Sequence, residues 1–252
     1  MGIFMINKYG DTEHIVIEDG IQKIDESMFC GDVFTKTVKL PDSVTEIGED
    51  AFNGCRSLAE INIPPFVTKI GNYAFYDCDS LIEIVIPDSV TEIGENAFYG
   101  CSGLTRLVIP DSVTEIGELA FGGCTRLSEI NIPGSVTVIN KGTFFRCDSL
   151  AEISIPDSVT EIGEYAFCGC TGLAKVVIPD SVTDIYDGAF CNCGSLEEIV
   201  IPDSVTEIGE GAFEFDRKLT VSISRHLYES IVNEYGVYDV FKNAKVVVRD
   251  QR

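Results

Sequence analysis

The chain has 252 residues, and 41 acidic against 18 basic side chains give it a formal net charge of −23. With 45% hydrophobic and 23% charged residues, its composition is that of a folded protein and not of a disordered acidic chain. Such a negative field disfavours nucleic acid and anionic membrane surfaces as partners. No apolar run approaches the roughly 18 residues that a membrane-spanning helix needs. We therefore expect no nucleic-acid partner and no membrane insertion.

One repeat organises most of the chain. Eight prolines follow one another at intervals of 23 residues: Pro41, Pro64, Pro87, Pro110, Pro133, Pro156, Pro179 and Pro202. Each opens the pattern P-x-x-V-T-x-I-x-x-x-A-F-x-x-C-x-x-L-x-x-I-x-I, and equivalent positions of successive repeats form what we call columns. A fixed period of this length is typical of a solenoid, in which each repeat is one coil. We predict one structural domain, with an N-terminal cap and degenerate first repeat (1–40), eight repeats (41–223) and a C-terminal cap (224–252).

The first predicted elements are a cap and a strand. The cap contains a weaker copy of the repeat, with matching apolar residues at Ile17, Ile21, Ile24 and Phe29. In each full repeat, L-x-x-I-x-I predicts a short strand, because its apolar residues alternate as in a sheet with one buried face. In the second full repeat this strand turns Glu83 and Val85 outward.

After the proline, V-T-x-I predicts a short extended segment. The column that follows begins with Gly48 and is mostly glycine, which predicts a turn with positive φ. Tyr186 is an exception in that column. A single helical turn carrying Ala-Phe then completes the repeat, and its phenylalanine is the same in all eight copies. Identical apolar columns predict a core built by stacking one coil on the next.

The C-terminal cap is predicted to be a helix followed by a short strand. Leu227, Ile231, Val232 and Tyr235 have helical spacing, and Gly236 is a suitable helix end. The strand is predicted from Lys245 to Val248. Together they cover the last coil and block pairing with its exposed edge.

The full pattern, C-x-x-L-x-x-I-x-I-P-x-x-V-x-x-I-x-x-x-A-F over roughly residues 17–223, resembles the treponemal-type, or BspA-like, leucine-rich repeats. The resemblance implies a right-handed solenoid of about nine coils with a concave parallel sheet. It also implies adhesion or host-protein binding on a bacterial cell surface, or secretion. The first residues show no signal peptide, which leaves a cytoplasmic location as the alternative.

Catalytic chemistry has little support in the sequence. The two histidines, His14 and His226, both lie in the caps, and no P-loop, GxGxxG or HExxH pattern occurs. We expect no enzyme activity, no cofactor and no metal centre.

Cysteine is the first open question. Seven of the ten cysteines share one column and predict a buried row of small side chains. Cys168 and Cys191 lie one repeat apart, outside that column. Together with Cys170 and Cys193 they offer four thiols for zinc, and on their own a disulfide; two free thiols are the interpretation that we favour.

Acidic columns are the second open question. One runs through Asp42, Asp88 and Asp111, and two others contain Glu46 and Glu49. Stacked like charges repel one another, so added salt is expected to raise the melting temperature. The columns predict either a highly soluble outer face, which we favour, or weak binding of divalent cations.

The outward positions of the concave sheet are where we predict binding. These residues vary while the core columns stay constant: Glu60, Glu83, Val85, Arg106, Val108, Glu129, Glu152, Lys175, Val177, Glu198 and Val200. Valines beside a charged column that is acidic on balance predict a basic or mixed-charge protein partner. The alternative is a structural spacer or self-associating scaffold without a dedicated ligand.

Aromatic residues on the outer turns are a second candidate surface. Tyr76, Tyr99 and Phe145 share one column, and Tyr73 and Tyr165 lie nearby. They predict either binding hot spots or half-buried packing between coils.

Overall fold

The protein is a solenoid of parallel strands with about ten turns and almost no helix. Its computed structural model describes residues 5–6, 13–214, 218–234, 240–241 and 243–249. The predicted fold class, a leucine-rich-repeat coil, is confirmed.

Each coil contributes one strand to a first face. Strand β1 (Met5–Ile6) pairs antiparallel with the first of them, and every later pair is parallel and in register. The strands of this face are β2 (His14–Val16), β4 (Thr37–Lys39), β6 (Glu60–Ile61), β9 (Arg106–Leu107), β11 (Glu129–Ile130), β13 (Glu152–Ser154), β15 (Lys175–Val177), β17 (Glu198–Val200), β19 (Thr220–Ser224) and β20 (Lys245–Arg249). The second full repeat joins them through a single bridge from Glu83 to Arg106.

The T-x-I segments form the second face, also as parallel strands. They are β3 (Lys23–Ile24), β5 (Glu46–Ile47), β7 (Lys69–Ile70), β8 (Glu92–Ile93), β10 (Glu115–Ile116), β12 (Val138–Ile139), β14 (Glu161–Ile162), β16 (Asp184–Ile185) and β18 (Glu207–Ile208). The predicted short extended segments are therefore confirmed.

The third side of each coil is a run of tight turns and not the single helical turn that we predicted. Every second N–H bonds to the coil that follows: Asp50 N donates to Asn72 O (2.9 Å) and Phe52 N to Ala74 O (2.8 Å). The N–H groups between them bond three residues back within the same coil, as Asn53 N does to Asp50 O (3.0 Å). Since alternate amides point along the solenoid axis, a helix cannot form.

A row of phenylalanines fills the centre of the solenoid. Ring stacks on ring from Phe29 through the eight repeats to Phe241 in the C-terminal cap, with centroids 5.0 to 6.0 Å apart. All eight repeat phenylalanines are fully buried. The predicted strand alternation is also confirmed, because Ile84 and Ile86 are buried while Val85 is 71% exposed. Each coil buries its apolar face against the next one, so stability comes from stacking.

The glycine column has a different cause from the one predicted. Gly48, Gly71 and Gly94 are absent from the positive-φ residues, which lie two positions later and include Asp50, Tyr73 and Leu119 (φ 54–62° across that column). Glycine is needed instead because neighbouring coils approach closely. A Cβ on Gly71 would lie 2.7 Å from the backbone N of Glu49 and the backbone C of Gly48.

This close approach predicts that Gly71→Ala destabilises the protein. The added methyl must push two backbones apart, at a cost of about 1–3 kcal/mol. Gly134→Ala is the matched control, since its Cβ would meet no atom within 4 Å. Thermal unfolding of both variants checks the expectation, and equal melting temperatures would contradict it.

The cysteine column is buried as predicted, and the structure adds a role for its thiols. Each Sγ–H donates to the carbonyl of the phenylalanine 26 residues earlier, as Cys78 does to Phe52 O (3.2 Å) and Cys101 to Phe75 O (3.1 Å). Burial raises the pKa of the Cys170 thiol to about 12, which keeps this donor protonated. Cysteine is thus a small core side chain that also satisfies a buried carbonyl.

Cys168 and Cys191 form a disulfide, so our preference for two free thiols was wrong. Their Cα atoms lie 4.6 Å apart, since the two residues occupy the same turn position in adjacent coils. Cys170 and Cys193 belong to the buried column and are not available to a shared zinc site.

The strand ladders are interrupted between the coils 110–132 and 133–155. Within the described residues, no pairing joins β10 to β12 on the second face or β11 to β13 on the first. Asn140 stands in the glycine column here, and its side-chain amide donates to Ile116 O (2.7 Å), the bond that a backbone N–H makes elsewhere. The turns on the third side remain paired, with Leu119 N donating to Lys141 O (2.8 Å). Backbone contact is therefore weakest at this junction.

The C-terminal cap contains the predicted helix and strand, α1 (Arg225–Glu234) and β20. Tyr235 and Gly236, the predicted helix end, lie outside the described residues. Arg249 fastens the cap to the last repeats, because its Nη2 donates to Ile201 O at 2.5 Å. In the part of the chain that the structure describes, no helix has the length and apolar character to cross a membrane.

Candidate functional site

The eleven residues predicted for binding all lie exposed on the outward side of the first face. Because side chains alternate along each strand, the core residue between each outward pair is buried and the pair points to solvent. A broad open depression of about 850 Å³ crosses β9 to β15, lined by Arg106, Val108, Glu129, Glu152, Lys175 and Val177. We call this surface the concave face.

A second depression continues toward the C-terminal cap. Its volume is about 790 Å³, and it is lined by Lys175, Val177, Glu198, Val200 and Arg249. The two depressions share Lys175 and Val177, so they form one continuous trough along the solenoid axis.

Charges on the concave face are largely available to a partner. Arg106 Nε lies 3.1 Å from Glu129 Oε2, in an ion pair whose side chains are 65% and 69% exposed. Such pairs contribute about 0–1 kcal/mol, so a ligand can replace this one at little cost. The valine column adds apolar area, since Val108 and Val177 are 57% and 62% exposed.

Two asparagines of the same face have a structural role instead. Asn62 accepts from Leu40 N (2.8 Å) and donates to Leu40 O (3.0 Å). Asn131 makes the same two bonds with Ile109, each at 2.8 Å. Their amides extend the pairing with the preceding coil beyond the last paired strand residues, which sequence periodicity alone did not reveal.

The aromatic residues of the outer turns pack between coils. The Tyr76 and Tyr99 rings stack at 5.1 Å, and the Tyr99 ring lies against Gly122. The Tyr165 ring covers Gly188 in the same way. Of our two interpretations, the structure shows packing.

The acidic columns are interleaved with lysines that we had not included. Lys23 pairs with Glu46 (2.9 Å), Lys69 with Glu92 (2.6 Å) and Lys141 with Glu164 (2.5 Å). Within the described residues, no cluster of histidine, cysteine and carboxylate side chains is arranged to hold a metal ion. The effect of salt on the melting temperature stays a prediction.

Comparison with known proteins agrees with the repeat geometry. The family model described as the BspA type leucine rich repeat region matches in six copies over residues 6–125 and 91–220. The chain belongs to the BspA-type leucine-rich repeat family. The predicted family resemblance is thus confirmed. Proteins of this family generally serve as scaffolds for protein interactions, are generally non-enzymatic, and are often surface proteins.

Solved structures share this BspA-type fold. The T. pallidum leucine rich repeat protein is 32% identical, with a TM-score of 0.59 over 68% of this chain and 87% of its own. A leucine-rich repeat protein from Bacteroides ovatus is 21% identical, with a TM-score of 0.53 over 98% of each chain. A leucine rich cell surface protein from Faecalibacterium prausnitzii is 24% identical, with a TM-score of 0.50 over 99% of this chain and 93% of its own. Among curated proteins, none matches the chain.

Proposed function

We propose that this protein is a non-catalytic binding module that holds a protein partner on its concave face, in adhesion or host-protein binding at a cell surface. One observation carries the proposal: the eleven varying outward residues are exposed together on one face, and eight of them, from Arg106 to Val200, line one continuous trough. The partner is basic or mixed in charge, since Glu60, Glu83, Glu129, Glu152 and Glu198 outnumber Arg106 and Lys175 there. The surface location is supported by the F. prausnitzii neighbour, which is a cell surface protein.

The test is affinity capture from host extracellular matrix and from lysate of the source cell. The variant Glu83→Lys, Arg106→Glu, Lys175→Glu reverses three exposed charges on the concave face. We expect it to lose the partner that wild type captures while its melting temperature changes little, because exposed charges contribute little to stability.

A matched control reverses charges elsewhere. Glu115→Lys, Arg126→Glu, Arg146→Glu changes the net charge by the same amount at exposed positions off the concave face, and we expect it to bind as wild type does. Equal capture by wild type and the concave-face variant would overturn the proposal and favour a structural spacer.

A further inference from the structure

The concave face has a second period, three coils long. From β9 to the C-terminal cap, a cation followed two residues later by an outward valine occurs on every third strand: Arg106 and Val108 on β9, Lys175 and Val177 on β15, and Lys245 and Val247 on β20. All six residues are exposed. Strand β4, three coils before β9, has Thr37 and Lys39 at these positions. If each step from coil to coil is taken as the spacing of paired parallel strands, about 4.8 Å, the cations repeat about every 14 Å along the solenoid axis. Four of the six steps from β9 to β20 are paired strands, and the steps from β11 to β13 and from β15 to β17 are not.

Carboxylates occupy both positions between the first two cations. Glu129 and Glu152 lie on the two strands between Arg106 and Lys175, in register with them. The midpoint of this first interval, about 7 Å from either cation, therefore lies between the two acids. In the second interval the two intervening positions are Glu198 and Thr220, which are in register with each other.

Only one regular peptide conformation matches this spacing. In an extended strand every fourth residue lies on the same side, about 13.6 Å apart, and the residue midway lies there too. An α-helix advances about 9.3 residues over 14 Å, so the side chain at that distance points away from the sheet. A polyproline II helix advances about 4.5 residues over 14 Å, about one and a half turns, and its side chain there also points away.

We propose that the concave face binds an extended peptide segment that runs along the solenoid axis, with an acidic residue at every fourth position and a basic residue midway between. The acids pair with Arg106, Lys175 and Lys245, and the first basic residue sits between Glu129 and Glu152. The valine beside each cation lowers the local dielectric, which strengthens each ion pair. This inference rests on the proposed function, because it names the partner of the same face.

The test compares two synthetic peptides of identical composition. The first, Glu-Thr-Lys-Thr-Glu-Thr-Lys-Thr-Glu, has the predicted pattern, and the second, Glu-Thr-Glu-Thr-Glu-Thr-Lys-Thr-Lys, keeps the alternation but breaks the period. The second peptide sets a glutamate between Glu129 and Glu152 and a lysine against Lys245. By fluorescence anisotropy at low ionic strength, we therefore expect the full chain to bind the first at least about tenfold more tightly. The variant Arg106→Gln, Lys175→Gln, Lys245→Gln should lose this preference.

A control variant, Arg126→Gln, Arg146→Gln, Lys218→Gln, removes three exposed cations away from the concave face and should keep the preference. Equal affinity for the two peptides, no binding of either, or a preference that survives in the concave-face variant would each overturn the inference. If capture of a protein partner still depends on Glu83, Arg106 and Lys175 in that case, the proposed function stands and only the peptide pattern is wrong. If that dependence is also absent, both fail.

Discussion

Phe144→Ala should lower the free energy of unfolding by about 3–5 kcal/mol. Phe144 is fully buried, and its ring stacks between those of Phe121 (5.8 Å) and Phe167 (5.3 Å). Removing the ring leaves a cavity that a coil pinned from both sides cannot close. The substitution also falls in the coil 133–155, where strand pairing to the preceding coil is already interrupted.

The neighbouring residue provides the control. Phe145 is half-buried on the outer turn, so Phe145→Ala should cost much less. Urea unfolding followed by tyrosine fluorescence suits this chain, which has nine tyrosines and no tryptophan. Because each coil contacts only its neighbours, loss of coupling at Phe144 should also broaden the transition. A similar loss for the two variants would show that the phenylalanine stack is not the main source of stability.

Alkaline pH should destabilise the protein, because its buried thiols ionise at a lower pH in the unfolded chain than in the folded one. Burial raises the pKa of the Cys55 and Cys170 thiols to about 12, and it also raises the pKa of Cys124 and Cys147. The pKa of Cys78 is raised as well, first by its hydrogen bond with Cys101 and then by burial. In the unfolded chain these thiols ionise near pH 8.5.

The sign of the effect follows from proton binding. Above pH 9 the folded state holds protons that the unfolded state has released, so stability is complete below about pH 8 and falls as pH rises toward 12. Each thiol contributes about 1.4 kcal/mol per pH unit in that window. The Cys55 and Cys170 thiols alone should therefore remove about 4 kcal/mol by pH 10, and the other three thiols act in the same direction.

The urea midpoints of unfolding at pH 8 and pH 10 check this prediction. The samples are measured quickly enough to limit thiol–disulfide exchange. Cys147→Ala removes one titrating group and should make the pH dependence shallower by about one proton. An unchanged midpoint for wild type between the two pH values would contradict the assignment of the thiols as buried donors.

The architecture was accessible from the sequence because each coil repeats the same chemistry. The apolar columns fix which side chains face inward, and Phe52, Ile47 and Leu58 are buried where the period places them. The outward positions of the concave sheet follow from the same alternation. Periodicity therefore predicted both the core and the location of the candidate site.

Periodicity could not predict which groups form hydrogen bonds between neighbouring coils. Cys78 bonds the carbonyl of Phe52, 26 residues away, and this offset depends on how two coils stack. Asn131 satisfies Ile109 across a coil boundary for the same reason. The positive-φ column did carry a signal that we missed, since Asn96, Gly142 and Gly188 tolerate that conformation, while Tyr73 and Leu119 obscured it.

The stacking of near-identical coils has a consequence for how the length of this protein can change. Removal of one 23-residue unit from the interior would join equivalent positions and leave the phenylalanine row and both caps continuous. Such a loss would, however, bring a different pair of charges into register along the trough. Removal of three units, 69 residues, would preserve both the fold and the spacing of the cations. Within the trough, a loss of three units would also remove one cation-bearing strand. Gene copies that vary in length by recombination among these repeats should therefore keep the spacing of their cations after a change of three units and lose it after a change of one or two.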